Sequence, residues 1–218
     1  ETDGMPSVLS GIPMFIEPFF LTPSSLNTVS SIGGELGKKG YYTAFFHGAD
    51  NGSMGFEAFA RTAGYTHYFG RTEYNEANPD NKDFDGHWGI WDEKFFQFFG
   101  NTLSGFQQPF AAALFSLSSH HPFAVPAEYE GVFPKGNKPI RQCIGYTDNA
   151  LKLFFEKVSK EPWYKNTLFV FTADHTNSPE RPEYETESGL FSVPVVFYQP
   201  GSDLKGFRKD VIAQQIDI

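Results

Sequence analysis

Several features that define common protein classes are missing from this chain. It has one cysteine, Cys143, so neither an intrachain disulfide nor a cysteine-based zinc site can form. No apolar run reaches the roughly 18 residues that a membrane span needs, and no secretory leader is visible. The chain starts abruptly at Glu1 and stops at Ile218, and we expect both ends to be cuts through a larger protein.

Positive charge is also scarce. The chain has 17 Lys and Arg residues against 26 Asp and Glu residues, which gives a formal net charge of -9. An acidic surface repels phosphate backbones, so the sequence argues against a nucleic-acid partner. Any chemistry on phosphate or sulfate groups would need a local positive centre, and a bound metal ion would supply one.

Apolar and aromatic residues are abundant by contrast. Hydrophobic residues make up 40% of the chain and aromatic residues 17%, including 25 Phe. This composition excludes a disordered chain, and 218 residues suffice for a domain with a sizeable core. Because no internal repeat, low-complexity tract or linker is visible, we predict a single domain over residues 1–218.

Helix-like and strand-like segments alternate along the chain, which predicts an α/β fold with a mainly parallel central sheet flanked by helices. The continuous apolar run at 109–117 is typical of a strand covered on both faces, and 167–172 is predicted to be a central strand. Two polar stretches, 70–89 and 118–138, are predicted to be loops. The other predicted strands are 42–47 and 193–198, and the predicted helices are 6–12, 26–39, 54–63, 92–103 and 140–160.

Polar clusters follow three of the predicted strands. His47 ends the first strand, the run Ser118-Ser119-His120-His121 follows the second, and Asp174-His175 follows the third. In an open parallel sheet the carboxyl ends of the strands line one edge, where ligands bind. The sequence therefore predicts that these side chains share one site.

Asp174 and His175 are the predicted metal ligands. Carboxylate oxygen and imidazole nitrogen suit a divalent ion such as Zn²⁺ or Mn²⁺. The exit of a buried strand is also a poor place for an unpaired charge. The alternative is an Asp that caps the next turn beside a surface His.

The remaining histidines and a tryptophan are predicted to meet the substrate. His120 would act as an acid or bind a phosphate oxygen, and His121 is a second candidate there. In the segment Asp85-Gly86-His87-Trp88-Gly89, Trp88 offers a flat wall and His87 a donor. His47 is also assigned to the substrate. Each assignment has a structural alternative. The segment 118–123 could be a polar turn that ends at Pro122, with His121 facing solvent. Trp88 could pack in the core, and His47 could be a strand-end histidine with its hydrogen bonds satisfied.

Motifs along nearly the whole chain carry a family resemblance. In their order and spacing, the sequence resembles the lipoteichoic-acid-synthase-like, or phosphoglycerol transferase, branch of the sulfatase and alkaline phosphatase superfamily. The motifs are DGMPSVLSGIP (3–13), GYYTAFFHGADNGSMGFEAF (40–59), DFDGHWGIWDEKFF (83–96), LSSHHPFAVPAEY (117–129), IGYTDNAL (144–151), NTLFVFTADHT (166–176) and QQIDI (214–218).

The resemblance implies an alkaline-phosphatase-like catalytic domain, here truncated at both ends, and a reaction that moves a phosphoglycerol-type group. It implies one divalent metal ion, for which Mn²⁺ is the first choice and Zn²⁺, Mg²⁺ or Ca²⁺ are the others. Asp174, His175 and a nucleophilic hydroxyl would hold this ion, and Thr2 is the hydroxyl residue nearest to the expected position. His120 would contact the substrate, a small anionic or lipid-linked glycerophosphate or glycan. The parent protein would be membrane-anchored, with this domain on the extracytoplasmic or periplasmic side.

The chain departs from the family pattern in two places. The family's Glu ligand would precede Glu1, and the position expected for the nucleophile is Glu1 itself, one residue before Thr2. Without that Glu we expect residues 1–218 alone to be inactive. Two other functions stay open: a sulfate or phosphate ester hydrolase, and a non-catalytic module that binds a glycan or lipid headgroup. Cys143 lies in no formylglycine motif, which disfavours the sulfatase chemistry that uses that group.

Overall fold

A three-stranded parallel sheet lies at the centre of the computed structural model, which describes residues 2, 4–14, 16–203, 205–208 and 210–218. Its strand order is β2-β1-β3, with β1 at Tyr42–His47, β2 at His67–Phe69 and β3 at Phe110–Phe115. Strands β1 and β3 pair along their whole length, so His47 lies opposite Phe115. This arrangement confirms the predicted α/β fold and places the ends of β1 and β3 side by side.

The last two strands form a separate two-stranded sheet. Strand β4 (Phe169–Thr172) pairs antiparallel with β5 (Val195–Tyr198), and within the described ranges β5 is the one strand to which it is hydrogen-bonded. The prediction that 167–172 is a central strand is therefore wrong. The apolar run TLFVFT suits a central strand and a peripheral one equally well. Strand β3 is likewise half-buried along its length and not fully covered.

Helices flank the strands, and the two longest pack against each other. In this pair Gly100 of α5 faces Val158 of α6, where an added Cβ would lie 3.0 Å from the valine Cγ1. Phe96, Leu103, Ala150 and Phe154 complete a buried cluster between them. The helices are α1 (Gly4–Ser10), α2 (Ile32–Gly37), α3 (Phe56–Thr62), α4 (Arg71–Ala77), α5 (Asp92–Ser104) and α6 (Ile140–Val158).

One helix prediction and one loop prediction need correction. Helix α2 begins only after Ser31, whose hydroxyl accepts the Gly34 N–H (2.9 Å), so the helix predicted from residue 26 is shorter than expected. Helix α4 lies in the stretch predicted to be a loop. There the Glu73 carboxylate accepts the Gly70 N–H (2.6 Å) and closes the first turn, while Tyr74 is buried.

The core is largely aromatic. Phe45 and Phe46 point to opposite faces of β1, as successive strand residues do, and each joins a separate buried cluster. Met5 and Leu9 of α1 pack into the same cluster as Phe45, which ties the start of the chain to the sheet. In the part of the chain that the structure describes, no helix has the length and apolar character required to cross a bilayer.

Candidate functional site

Three chain segments meet beyond the carboxyl ends of β1 and β3. The Ile90 N–H donates to the Gly48 carbonyl oxygen (2.9 Å), which holds the segment around Gly89 against the end of β1. A Cβ atom on Gly89 would clash with that same carbonyl and lie 2.7 Å from Leu117 Cδ1. Only glycine fits here, so residues 48, 89 and 117 form one closely packed junction.

The substitution Gly89→Ala is expected to lower the free energy of unfolding by about 2 kcal/mol or more, because backbone atoms must move to admit the methyl group. Urea denaturation measures this loss. The matched control is Gly105→Ala at the end of α5, where the nearest atom would be 3.5 Å from the new Cβ. Equal unfolding midpoints for the two variants would contradict the steric argument.

The loop at 85–89 is organised by the carboxylate of Asp85. Its Oδ1 accepts the N–H groups of His87 (2.8 Å), Trp88 (2.8 Å) and Gly89 (3.0 Å). We predicted no role for Asp85 from the sequence, although an Asp-Gly pair is a known turn former in which the Asp side chain bonds the backbone two residues on. Asp85 therefore fixes the backbone that presents His87 and Trp88.

Trp88 forms one wall of an open cavity of about 420 Å³, lined by Gly86, His87, Trp88, His121 and Pro122. Its indole Nε1–H donates to the His121 carbonyl oxygen (2.7 Å), and its ring meets the His120 ring at 4.5 Å and 69°. Trp88 is 38% exposed, so it is not the core residue of the alternative interpretation. The structure thus brings His87, Trp88, His120 and His121 together.

His120 is half-buried behind this wall. Its Nδ1 lies 2.8 Å from the His121 carbonyl oxygen. A carbonyl oxygen only accepts, so Nδ1 carries the hydrogen, and the neutral ring has its lone pair on Nε2. His121 is exposed at the cavity rim, as the solvent-facing alternative also expected.

His47 is placed differently from the other predicted site residues. It is fully buried, packs on Phe56 with ring centroids 4.7 Å apart, and its ring does not line the cavity. Burial lowers the pKa of His47 to about 4, against a smaller opposing effect of the Phe115 carbonyl, 3.1 Å from Nδ1. Among the described residues its Nε2 has no hydrogen-bond partner. In this structure His47 supports the end of β1 from inside the core.

Asp174 and His175 turn toward each other after β4. The carboxylate Oδ2 lies 3.3 Å from the imidazole Nε2, and Oδ1 accepts the His175 N–H (2.9 Å). The His175 Nδ1 lies 2.8 Å from the Thr176 carbonyl oxygen, so Nδ1 carries the hydrogen and the Nε2 lone pair of the neutral ring faces the carboxylate. Two acceptors at this distance need a proton or a cation between them.

This geometry fits a divalent metal ion. Two ligand atoms about 2.1 Å from one ion in tetrahedral geometry are about 3.4 Å apart, close to the separation of the Asp174 and His175 atoms. Nδ1–H donation to a backbone carbonyl is the usual way in which a metal-binding His is oriented. No cluster of three His, Cys, Asp or Glu side chains with metal-binding geometry occurs among the described residues, so this pair alone does not complete a coordination shell.

The start of α1 is pressed against Asp174. A Cβ on Gly4 would lie 2.5 Å from the Asp174 Cβ and 2.8 Å from its Cα, so no side chain fits at position 4. Thr2 is half-buried in the turn just before this helix. On the other side, the Gln215 side-chain amide donates to the carbonyls of Ala173 (2.7 Å) and Asp174 (2.8 Å). Both ends of the described chain thus brace Asp174.

Cys143 lies away from this chemistry. It is fully buried within α6, its thiol donates to the Ala124 carbonyl oxygen (3.5 Å), and burial raises its pKa to about 11. A buried neutral thiol is a packing group, in agreement with the sequence argument against formylglycine chemistry.

Comparisons with known proteins identify the family of the chain. The family model named Sulfatase matches residues 2–218. Lipoteichoic acid synthase 2 of Bacillus subtilis is 28% identical over 157 residues, which is 68% of this chain and 23% of that protein. Phosphoglycerol transferase I of Escherichia coli is 27% identical over 188 residues, covering 79% of this chain and 24% of that protein. The chain therefore spans about a quarter of the length of these curated relatives.

Solved structures show the same fold. An alkaline phosphatase superfamily protein from Vibrio parahaemolyticus matches with a TM-score of 0.82 and 24% identity, over 99% of this chain and 52% of that chain. The lipoteichoic acid synthase LtaP from Listeria monocytogenes matches with a TM-score of 0.78 and 21% identity, over 94% of this chain and 54% of that chain.

Two more distant structures were solved with a ligand. One is the C-terminal periplasmic domain of EcEptC from Escherichia coli in complex with Zn (TM-score 0.57, 14% identity, 88% of this chain and 60% of that chain). The other is the phosphoglycerol transferase GacH from Streptococcus pyogenes in complex with sn-glycerol-1-phosphate (TM-score 0.56, 12% identity, 88% of this chain and 53% of that chain). Because the family model covers all but the first residue, the chain belongs to the sulfatase family, and its fold is that of the alkaline phosphatase superfamily.

Proposed function

We propose that this chain is the core of a metal-dependent catalytic domain that transfers or cleaves phosphoglycerol-type groups of the cell envelope. The observation that carries the proposal is the Asp174–His175 pair, whose Oδ2 and Nε2 face each other at 3.3 Å beside the start of α1. The relatives named as a lipoteichoic acid synthase and a phosphoglycerol transferase support this reaction class.

Asp174 and His175 would hold the metal, with Thr2 as the hydroxyl beside it. A divalent ion there would neutralise charge on a phosphoryl group and lower the pKa of a nearby hydroxyl. Mn²⁺ is our first assignment and Zn²⁺ the second, since the EcEptC domain was solved with Zn. The family's Glu ligand would come from outside residues 1–218.

The cavity residues would bind and orient the substrate. His87 and His121 stand on the rim, where imidazole N–H groups can donate to anionic oxygens, and Trp88 gives the glycerol carbons an apolar wall. His120, behind Trp88, would move a proton to or from the leaving oxygen. Thr2 would be the nucleophile that receives the phosphoglycerol group.

The volume of the cavity, about 420 Å³, suits a small headgroup. GacH was solved with sn-glycerol-1-phosphate, which makes that compound the natural probe. We place the domain on the extracytoplasmic face of a membrane, as part of a membrane-anchored parent. The periplasmic domain of EcEptC, which shares the fold, supports this location.

The substitution His120→Ala is expected to weaken binding of sn-glycerol-1-phosphate, measured by calorimetry in the presence of Mn²⁺, by about 10-fold or more, because a hydrogen bond to a charged group is lost. The Mn²⁺ content should not change. His67→Ala is the matched control, because His67 is an exposed residue of β2 that stacks on Tyr42.

Three results would contradict the proposal: equal affinities for wild type and His120→Ala, loss of Mn²⁺ from His120→Ala, or no binding by the wild type. Inorganic sulfate, added as a competitor, distinguishes the proposed function from the alternative of a sulfate ester hydrolase. Displacement of sn-glycerol-1-phosphate at equal sulfate concentration would favour that alternative.

A further inference from the structure

Asp92, a buried carboxylate at the start of α5, is bonded to the segment that follows β3. Its Oδ1 accepts the Leu117 N–H (2.9 Å) and its Oδ2 accepts the Ser118 N–H (3.1 Å). In return, the Asp92 N–H donates to the Ser118 hydroxyl (2.9 Å). These three bonds fix the first residues after β3, and Asp92 itself does not line the cavity.

Leu117 and Ser118, which Asp92 holds, are the first two residues of the turn at 117–123 that carries His120 and His121, here called the histidine turn. The Leu117 carbonyl accepts the His120 N–H (3.0 Å), and the His120 carbonyl accepts the Phe123 N–H (2.9 Å). The Leu117 side chain also approaches Gly48 and Gly89, where an added Cβ would meet its Cδ1 at 3.4 and 2.7 Å. Leu117 is thus bonded to Asp92 through its backbone and packed in the three-segment junction through its side chain.

Keeping a charge at this position is costly. Asp92 is 2% exposed, and burial raises its pKa to about 6, although the Leu117 and Ser118 N–H groups oppose the shift. The groups around it are the Thr147 hydroxyl (3.4 Å), the Cys143 thiol, the Tyr146 hydroxyl and Glu93. An Asn side chain would be less costly to bury, but its NH2 group would take the place of one carboxylate oxygen and face the Leu117 or the Ser118 N–H, donor against donor.

We propose that Asp92 is a positioning residue that holds the histidine turn (residues 117–123) in place, so that His120 and His121 meet Trp88 and close the cavity wall. Asp92 sets the backbone path of the turn through its bonds to Leu117 and Ser118. The turn in turn sets the width of the cavity, because the His121 carbonyl oxygen accepts the Trp88 indole N–H. Its effect on ligand binding rests on the proposed function, whereas its effect on the turn does not.

The test is the substitution Asp92→Asn, followed by amide hydrogen exchange. The informative amides are those of His120 and Phe123, because neither is bonded to Asp92 itself. We expect their exchange to speed up by about 10-fold or more while amides in β1 and in the middle of α6 keep their rates, since only the turn loses an anchor. Asp148→Asn, an exposed change on α6, is the matched control.

Uniformly faster exchange along the chain would show a general structural role and overturn the proposal, as would unchanged rates at His120 and Phe123. If Asp92→Asn does not fold, Ser118→Ala removes the hydrogen bonds between the Ser118 hydroxyl and Asp92 and keeps the bonds that the Asp92 carboxylate accepts from the Leu117 and Ser118 N–H groups. It should speed exchange at the same two amides, and unchanged rates there would overturn the proposal.

The second readout is affinity for sn-glycerol-1-phosphate in the presence of Mn²⁺. Asp92→Asn should weaken it about 5-fold or more with the Mn²⁺ content unchanged, because the histidine turn is displaced but the metal ligands are not. Unchanged affinity with a loosened turn would overturn the link to the cavity. If the wild type itself does not bind this compound, the proposed function fails, while the exchange result still decides the role of Asp92.

Discussion

The substitution Asp174→Ala is expected to abolish binding of Mn²⁺ or Zn²⁺ to the chain. The carboxylate Oδ2 and the His175 Nε2 are the two facing acceptors of the candidate metal site, and a single imidazole cannot hold the ion. Loss of a group that only orients a metal ligand typically costs about 10- to 100-fold in metal affinity, so loss of a ligand itself should cost about 100-fold or more. Elemental analysis after gel filtration, and calorimetric titration with Mn²⁺, measure the loss.

Asp148→Ala is the matched control for this experiment, because Asp148 is an exposed carboxylate on α6, outside the site. It removes the same charge and should leave the bound metal unchanged. If Asp174→Ala keeps its full metal content, the pair is held together by a proton on His175, and the capping alternative is correct.

Acid is expected to destabilise the protein through His47. Its pKa is about 4 in the folded chain and near 6.5 in the unfolded chain. Above about pH 6.5, His47 is neutral in both the folded and the unfolded chain, so it does not affect stability. Between about pH 6.5 and about pH 4, His47 binds a proton in the unfolded chain only, so the free energy of unfolding falls. The full loss of unfolding free energy is about 3 kcal/mol, and it is complete once the pH falls below the pKa of His47 in the folded chain.

Urea denaturation of wild type and His47→Gln at about pH 7 and about pH 4.5 isolates this effect. Gln keeps a donor for the Phe115 carbonyl but does not titrate. Asp92 acts in the opposite direction, because its pKa of about 6 lies above the unfolded value and its folded form gains stability as the pH falls. Asp92 is present in both proteins, so the difference between them reports His47. We expect the wild type to lose about 2 kcal/mol more than the variant, and an equal loss would refute the assignment.

Local patterns were sufficient to predict the main elements. The run YTAFFH forms β1 over the predicted residues, and the predicted helix at 140–160 is α6, which ends at Val158. The missed helix α4 has one buried residue, Tyr74, and depends on the Gly70–Glu73 hydrogen bond, so it has no apolar stripe to detect. The pairing of β4 with β5 could not be predicted either, since register and neighbours come from tertiary packing.

The predictions for the site show the same division. The strand-end argument predicted one shared site for His47, the run 118–121 and the pair Asp174-His175, and that site stays a prediction. The structure brings Trp88, assigned to the substrate from its own loop motif, against His120 and His121, and Asp174 against His175. The pattern gave no sign that the ring of His47 is fully buried, because a strand-end histidine can point to either face of the sheet. The anchoring role of Asp92 depends on Leu117, which is 25 residues away in sequence. No local motif encodes such a contact.

The junction of Gly48, Gly89 and Leu117 has a practical consequence for redesign. The backbones of Gly48 and Gly89 touch directly and the Leu117 side chain packs on both, so the three segments resist remodelling as a unit. His87 and His121, by contrast, are exposed above it and contribute little to its packing. Libraries that vary these two positions should therefore retune ligand preference on an intact scaffold, whereas loop grafting at the junction should yield mostly insoluble chains.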